Sequence, residues 1–275
     1  MGFMLGQREL LGRIDNLIES DKLPKFIILV GQRGSGKELI INHIHEELES
    51  SVIIYMGISV NDVRQAVTQT QTLKGKTVVC VFKHADSMSL AAKNALLKIV
   101  EEPPKNVYFI MTLQSIGNTL DTIKSRATVF NMQPYTPMEI GEYAKKYNLT
   151  TDELGVVTNI CETPGDVEVL YNDGIIAFDE YVTTVVEYIA EVSGANCFSI
   201  GKKIRFKDDT DGYDLLLFYR AFISKCMERI NDDVSKYAEA IRITTKRMQE
   251  LTVNGINKQN SFDMWILDIR KAWFD

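Results

Sequence analysis

Apolar residues recur at helical spacing from Leu10 to Ile18, through Leu11, Ile14 and Leu17, and the pattern breaks at Lys22, Leu23 and Pro24. A helix is therefore expected ahead of the first strand. That strand is the unbroken apolar run Phe26 to Val30, the signature of a parallel strand covered on both faces. A glycine-rich turn follows, then an amphipathic segment from Leu39 to Leu48. Further apolar runs lie at Val52 to Tyr55, Val78 to Phe82 and Tyr108 to Met111, with helical patterns between them, notably Leu90 to Val100. Strands alternating with helices predict a parallel α/β sheet with right-handed crossovers.

The pattern changes at Pro134. Pro137 opens a helix with Met138, Glu139 and Ile140, and Thr150 or Thr151 followed by Glu153 reads as a capping box. From Ile175 onward the period is mostly helical, interrupted by polar and glycine-containing clusters at Val192 to Asn196 and Lys207 to Gly212. The expected plan is α/β followed by all-α, in three domains: residues 1–133, a small helical domain over 134–174 and a second helical domain over 175–275.

Composition narrows the function classes. The 275 residues are 45% hydrophobic and 25% charged, ordinary for a globular chain. No apolar stretch is long enough to span a membrane, and the N-terminal residues lack the basic and cleavage segments of a signal peptide, so a soluble, cytoplasmic protein is expected. Net charge is -6, which argues against coating nucleic acid by bulk electrostatics. Cys80, Cys161, Cys197 and Cys226 form no CxxC pair, so neither zinc nor a disulfide framework is expected. His43 and His45, two apart on a helix, point to different faces and do not suit a shared metal.

The glycine-rich turn carries the candidate chemistry. Gly31, Gly34, Ser35, Gly36 and Lys37 stand between strand and helix as a phosphate-binding loop requires, with backbone N–H groups, a helix N-terminus and a lysine all converging on one place. The position after the lysine needs Ser or Thr to hold Mg²⁺; here it is Glu38, whose charge faces the phosphates. ATP or ADP binding is expected to be weakened, with Mg²⁺ only where nucleotide binds. The competing reading is a plain strand-to-helix turn that holds no nucleotide.

The run Asn94, Ala95, Leu96, Leu97, Lys98 and on to Glu101, Glu102, Pro103 and Pro104 resembles the matching block of AAA+ sliding-clamp loader subunits. Ile123 to Ala127 resembles that family's serine-arginine-cysteine motif, with Ala127 in the cysteine's place, and Leu5 to Gln7 and Leu23 to Lys25 match the start of the same fold. The resemblance covers about residues 5 to 170. It is strongest to the delta-prime group of bacterial DNA polymerase III, although that group's zinc module has no counterpart here.

The resemblance implies a P-loop AAA+ domain, a helical lid and a C-terminal helical collar for oligomerisation. It implies a role in DNA replication within a hetero-oligomer, with other loader subunits, the sliding clamp and primed DNA as partners. Hydrolysing relatives place an aspartate and a glutamate at the end of the strand that here runs into Lys83 and His84, and a lid arginine where this chain has Asp166. Those departures imply a degenerate ATPase, inactive alone but part of an ATPase assembly. Arg126, beside Ser125, corresponds to an arginine finger supplied to the neighbouring subunit's nucleotide. The bland alternative is a surface arginine capping its helix. Arg64 matches a DNA-backbone contact of the family, though a single solvated arginine adds little affinity. Two other function classes compete: an autonomous P-loop ATPase with an unusual metal site, and a non-catalytic regulatory interaction protein.

Overall fold

In the computed structural model the described residues are 6–73, 75–191, 200–206, 212–251 and 256–274. The chain folds as two compact units, Met1–Tyr135 and Thr136–Asp275.

The first unit runs α1 (Arg8–Glu19), β1 (Phe26–Val30), α2 (Lys37–Glu47), β2 (Val52–Met56), α3 (Val60–Thr72), β3 (Val78–Phe82), α4 (Leu90–Glu101), β4 (Val107–Leu113), α5 (Asp121–Lys124) and β5 (Thr128–Asn131). All strand pairings in its sheet are parallel, in the order β2-β3-β4-β1-β5. The central strands β1, β3 and β4 are buried along their whole length, which is why their sequences are continuous apolar runs rather than alternating ones. One core cluster joins Ile28, Cys80, Phe82 and Phe109 to Ala92 and Leu96 of α4; a second joins Ile27, Leu29, Val79 and Ile110 to Ile14 of α1 and Ile40 and Ile44 of α2. Helices thus cover both faces.

The predicted strands lie where the apolar runs stand, β4 extending beyond Tyr108 to Met111 at both ends. β5 was not legible: Thr128 and Asn131 dilute its apolar character, and it becomes a strand because the sheet edge at β1 offers paired backbone groups from Ile27 to Val30.

The second unit contains α6 (Pro137–Ala144), α7 (Thr151–Ile160), α8 (Pro164–Asp173), α9 (Ile175–Glu191), a two-residue parallel bridge of β6 (Ile204–Arg205) with β7 (Tyr213–Asp214), α10 (Leu215–Glu228), α11 (Val234–Leu251) and α12 (Lys258–Phe274). Reciprocal capping boxes start α6, α7 and α8, through Thr136 with Glu139, Thr150 with Glu153 and Thr163 with Asp166. The terminal helices pack on aromatic rings. Trp265 is fully buried edge-on to Phe218 and Phe222, and its indole N–H donates to the buried Thr244 hydroxyl at 2.9 Å. That bond satisfies a donor which would otherwise be costly to bury. The interruptions expected at Val192 to Asn196 and Lys207 to Asp211, and Cys197, lie outside the described residues. Cys80, Cys161 and Cys226 are buried free thiols. Among the described residues no helix is long and apolar enough to cross a membrane.

Candidate functional site

The loop between β1 and α2 is shaped by its glycines. Gly36 caps α2 at φ 90°, a left-handed conformation open to glycine at little cost. A Cβ on Gly31 would fall 2.5 Å from Met132 Cγ and 2.8 Å from Ser35 Oγ, so only glycine fits where the loop leaves the strand. Tyr135, following β5, donates its hydroxyl to the Ser35 carbonyl at 2.9 Å and fixes the loop from the other side. Ser35 itself is buried, and its Oγ has no hydrogen-bond partner.

Lys37 folds over this loop. Its ammonium donates to the carbonyls of Gly31 at 2.6 Å and Gln32 at 2.7 Å. Burial lowers its pKa to about 8, against the opposing pull of the Asp86 carboxylate. Asp86 follows β3 in a single 3-10 turn and accepts the backbone N–H groups of Gln114 and Ser115, which joins this turn to the end of β4. The chain reaches that turn through His84, whose φ of 53° is unusual for a residue other than glycine and whose N–H donates to Thr112 Oγ1 at 3.0 Å.

Glu38 and Lys83 are brought together. Lys83 Nζ lies 2.7 Å from Glu38 Oε1 and 4.1 Å from the centre of the Tyr55 ring. The Lys83 hydrogen bond is the largest cause holding the Glu38 carboxyl below its usual range, with the Tyr55 hydroxyl adding to it. Glu38 is therefore an anion already matched by a cation of its own chain. In the sequence the two residues stand as separate departures, 45 positions apart. Their pairing was available as a signal, because two positions that jointly hold a metal in phosphate-loop sites carry opposite charges here.

The residues fit a phosphate group and do not fit magnesium. Loop N–H groups, the start of the eleven-residue α2 and Lys37 form a cradle of donors. Mg²⁺ requires oxygen ligands in near-octahedral array, and a protonated lysine supplies none. Among the described residues no group of three or more His, Cys, Asp or Glu side chains is placed to hold a metal ion. His43 instead pairs with Asp15 of α1, and His45 with Ser50.

Arg126 stands apart from this loop, after α5. Its Nη2 is 2.9 Å from Glu101 Oε1 at the end of α4, and its Nη1 donates to the Thr122 carbonyl at 2.9 Å. Ser125 donates to the same carbonyl at 3.1 Å, which gives its hydroxyl a local role in the turn. Glu101 was not singled out from sequence as the partner of Arg126; the two prolines after it show why α4 ends there, but not which side chain its last carboxylate meets. Arg64 is exposed on α3 and makes no ion pair among the described residues. Asp166 is engaged within the second unit: besides capping α8, it lies 2.7 Å from Arg220 Nη1.

Residues 53–136 match a family model described as DNA polymerase III, delta subunit. The DNA polymerase III subunit delta' of Bacillus subtilis is 26% identical over 65% of this chain and 56% of that protein. Replication factor C subunit 3 of Schizosaccharomyces pombe is 26% identical over 50% of this chain and 43% of that protein. The subunit delta' of Haemophilus influenzae reaches 41% identity, over 26% of this chain and 22% of its own length. The chain thus spans about half the length of the first two of these relatives. Among solved structures, a DNA polymerase III gamma subunit-related protein of Thermotoga maritima superposes with a TM-score of 0.51 at 12% identity, covering 96% of this chain and 99% of that one, a likeness of fold.

Proposed function

We propose that this chain, an AAA+ protein like the delta-prime subunits of clamp loaders, serves DNA replication as a non-hydrolysing loader subunit that lends Arg126 to the nucleotide site of a neighbour. The observation that carries the reading is the ion pair of Glu38 with Lys83, which fills both positions needed to hold a metal while Arg126 remains at the surface. Phosphoryl transfer depends on positioning and on stabilising charge, so a site without its metal ligands and its water-orienting carboxylate loses orders of magnitude in rate. A guanidinium reaching another subunit's phosphates suffers no such loss.

The partners in this reading are other loader subunits, the sliding clamp and, through the assembly, primed DNA. Residues 1–133 would be the P-loop domain, 134–174 the lid and 175–275 the collar through which subunits associate. Ser125 would set the turn that presents Arg126, and Arg64 would face the DNA backbone. Nucleotide, if bound at the loop, would be held by Gly31, Gly34, Ser35, Gly36 and Lys37.

Reconstitution with the loader subunits of the same genome tests the proposal. The chain alone should show no ATP turnover above background, and the assembly's DNA- and clamp-stimulated ATPase should collapse when Arg126→Ala replaces the wild type. Brisk turnover by the lone chain that is abolished by Lys37→Ala would instead establish an autonomous ATPase.

A further inference from the structure

Phosphate-loop sites balance the charge of a bound polyphosphate with Mg²⁺, gripped by the hydroxyl after the loop lysine and by an aspartate at the end of a nearby strand. In this chain those two positions hold Glu38 and Lys83, and the two side chains bind each other at 2.7 Å. A divalent cation brought to this place would meet an ammonium that repels it and offers no lone pair. The ammonium is itself a positive charge held beside the first turn of α2, on the residue that follows the loop lysine in sequence. It has three N–H donors, of which Glu38 engages one. The Tyr55 ring faces the ammonium, with its centre 4.1 Å from Nζ.

An independent sign of a ligand lies within the loop. Ser35 is 4% exposed, and its Oγ, placed inside the curl against Gly31, lacks any hydrogen-bond partner. A buried hydroxyl left unpaired is destabilising, and an oxyanion seated in the curl would supply the missing acceptor. Lys37 is folded onto the carbonyls of Gly31 and Gln32, where two neutral acceptors hold a cation that an anion would hold better.

We propose that Lys83 stands in for the magnesium ion, so that the loop is a metal-independent site for di- and triphosphate groups, bound by the loop N–H groups, Ser35, Lys37 and Lys83. The inference rests on the loop being a phosphate cradle and not on the chain's place in an assembly. A site of this kind holds polyphosphate without activating it. The Glu38 carboxylate, held ionised by Lys83, would repel an attacking hydroxide.

Calorimetric titration of the full chain with ADP, ATP and inorganic pyrophosphate, each in EDTA and in excess Mg²⁺, tests this directly. Binding is expected in EDTA, with Mg²⁺ leaving the affinity unchanged within about twofold or weakening it, because the metal complex of the ligand carries less charge. Lys83→Met and Lys37→Met should each weaken binding by about tenfold or more, the loss of one charge-assisted contact. The double replacement of Glu38→Thr with Lys83→Asp should bring back metal dependence, with Mg²⁺ tightening binding by at least about tenfold. Pyrophosphate binding as well as ADP, or binding of the nucleotides alone, would both support a metal-free site and would separate recognition of the phosphates from recognition of the rest of the nucleotide. Tightening of the wild type by about tenfold in Mg²⁺ would overturn the proposal, as would no binding of any of the three at millimolar concentration by a chain whose circular dichroism shows it folded. A chain that binds without metal but fails to stimulate a neighbour's ATPase would keep this inference and sink the assembly role; stimulation without binding would do the reverse.

Discussion

Two half-exposed ion pairs, closely alike in length, hold cations at opposite ends of the same argument: Lys83 on Glu38 at 2.7 Å and Arg126 on Glu101 at 2.9 Å. Their side-chain exposures are also alike, 35% for Lys83 and 38% for Arg126. What differs is the company. Lys83 follows an interior strand and meets Glu38 in the first turn of α2, beside the candidate phosphate loop, where the proposal has the pair replace the groups that would recruit a metal. Arg126 lies after a one-turn helix, tied to Glu101 and Thr122, and the proposal gives it a target in a neighbouring subunit. In the proposed reading an equal interaction closes one site to metal chemistry and props up a side chain whose target is elsewhere. The worth of an ion pair to function follows from what surrounds it rather than from its geometry.

The comparison can be broken most sharply at Arg126. In a reconstituted assembly Arg126→Ala should lower the neighbour's ATPase by about 10³-fold, the low end of what a finger arginine contributes, while the thermal midpoint of the isolated chain stays within a degree or two. A drop in stability without a drop in rate would make Arg126 an ordinary cap of its turn.

The next effect is a pH dependence at the loop. Lys37 titrates near 8 in the free protein and is held charged by any bound anion, so polyphosphate affinity should be level below that pH and fall as pH rises through it. About tenfold should be lost for each unit above the midpoint, measured by titration calorimetry from pH 6.5 to 9.5. Lys37→Arg should abolish this dependence, because a guanidinium stays protonated throughout the range. A flat profile in the wild type would show that Lys37 does not touch the ligand.

A smaller effect belongs to Glu101. Glu101→Gln keeps a hydrogen-bond acceptor but removes the charge holding Arg126, and the neighbour's ATPase should change by a few-fold, well short of the effect of Arg126→Ala, with kcat altered more than KM. The smallest effect should be in stability. A double-mutant cycle of Glu38→Gln and Lys83→Met should give a coupling of about 0.5 kcal/mol in chemical denaturation, since both side chains are more than a third exposed or nearly so. A coupling of several kcal/mol would mean that the pair is a structural post and its effect on metal binding incidental.

Much of the first unit was legible before the structure. Unbroken apolar runs at Phe26 to Val30 and Val78 to Phe82 predict buried parallel strands because only a strand covered on both faces has no polar side to show. The glycine set at Gly31, Gly34 and Gly36 marked a candidate phosphate loop, and the structure shows why glycine stands there: a Cβ on Gly31 would clash with Met132, and Gly34 and Gly36 have φ of 76° and 90°. In the second unit the capping box of Thr150 with Glu153 was legible because its partners are three residues apart; the matching boxes of Thr136 with Glu139 and Thr163 with Asp166 were not read from sequence.

The rest depended on contacts between distant segments. Glu38 and Lys83 are 45 positions apart, Arg126 and Glu101 are 25 apart, and Asp166 and Arg220 are 54 apart. The sequence alone determined that this chain has a parallel α/β unit and a glycine-rich turn between its first strand and the next helix, with Glu38 where a phosphate loop carries Ser or Thr. Only the tertiary structure decided that the two misplaced charges meet, that Glu101 holds Arg126, and that Asp166 binds Arg220. The physical reason is range: periodicity, steric exclusion and capping act between near neighbours along the chain, whereas the strength and meaning of a charge are set by the side chains that folding brings within about 3 Å of it.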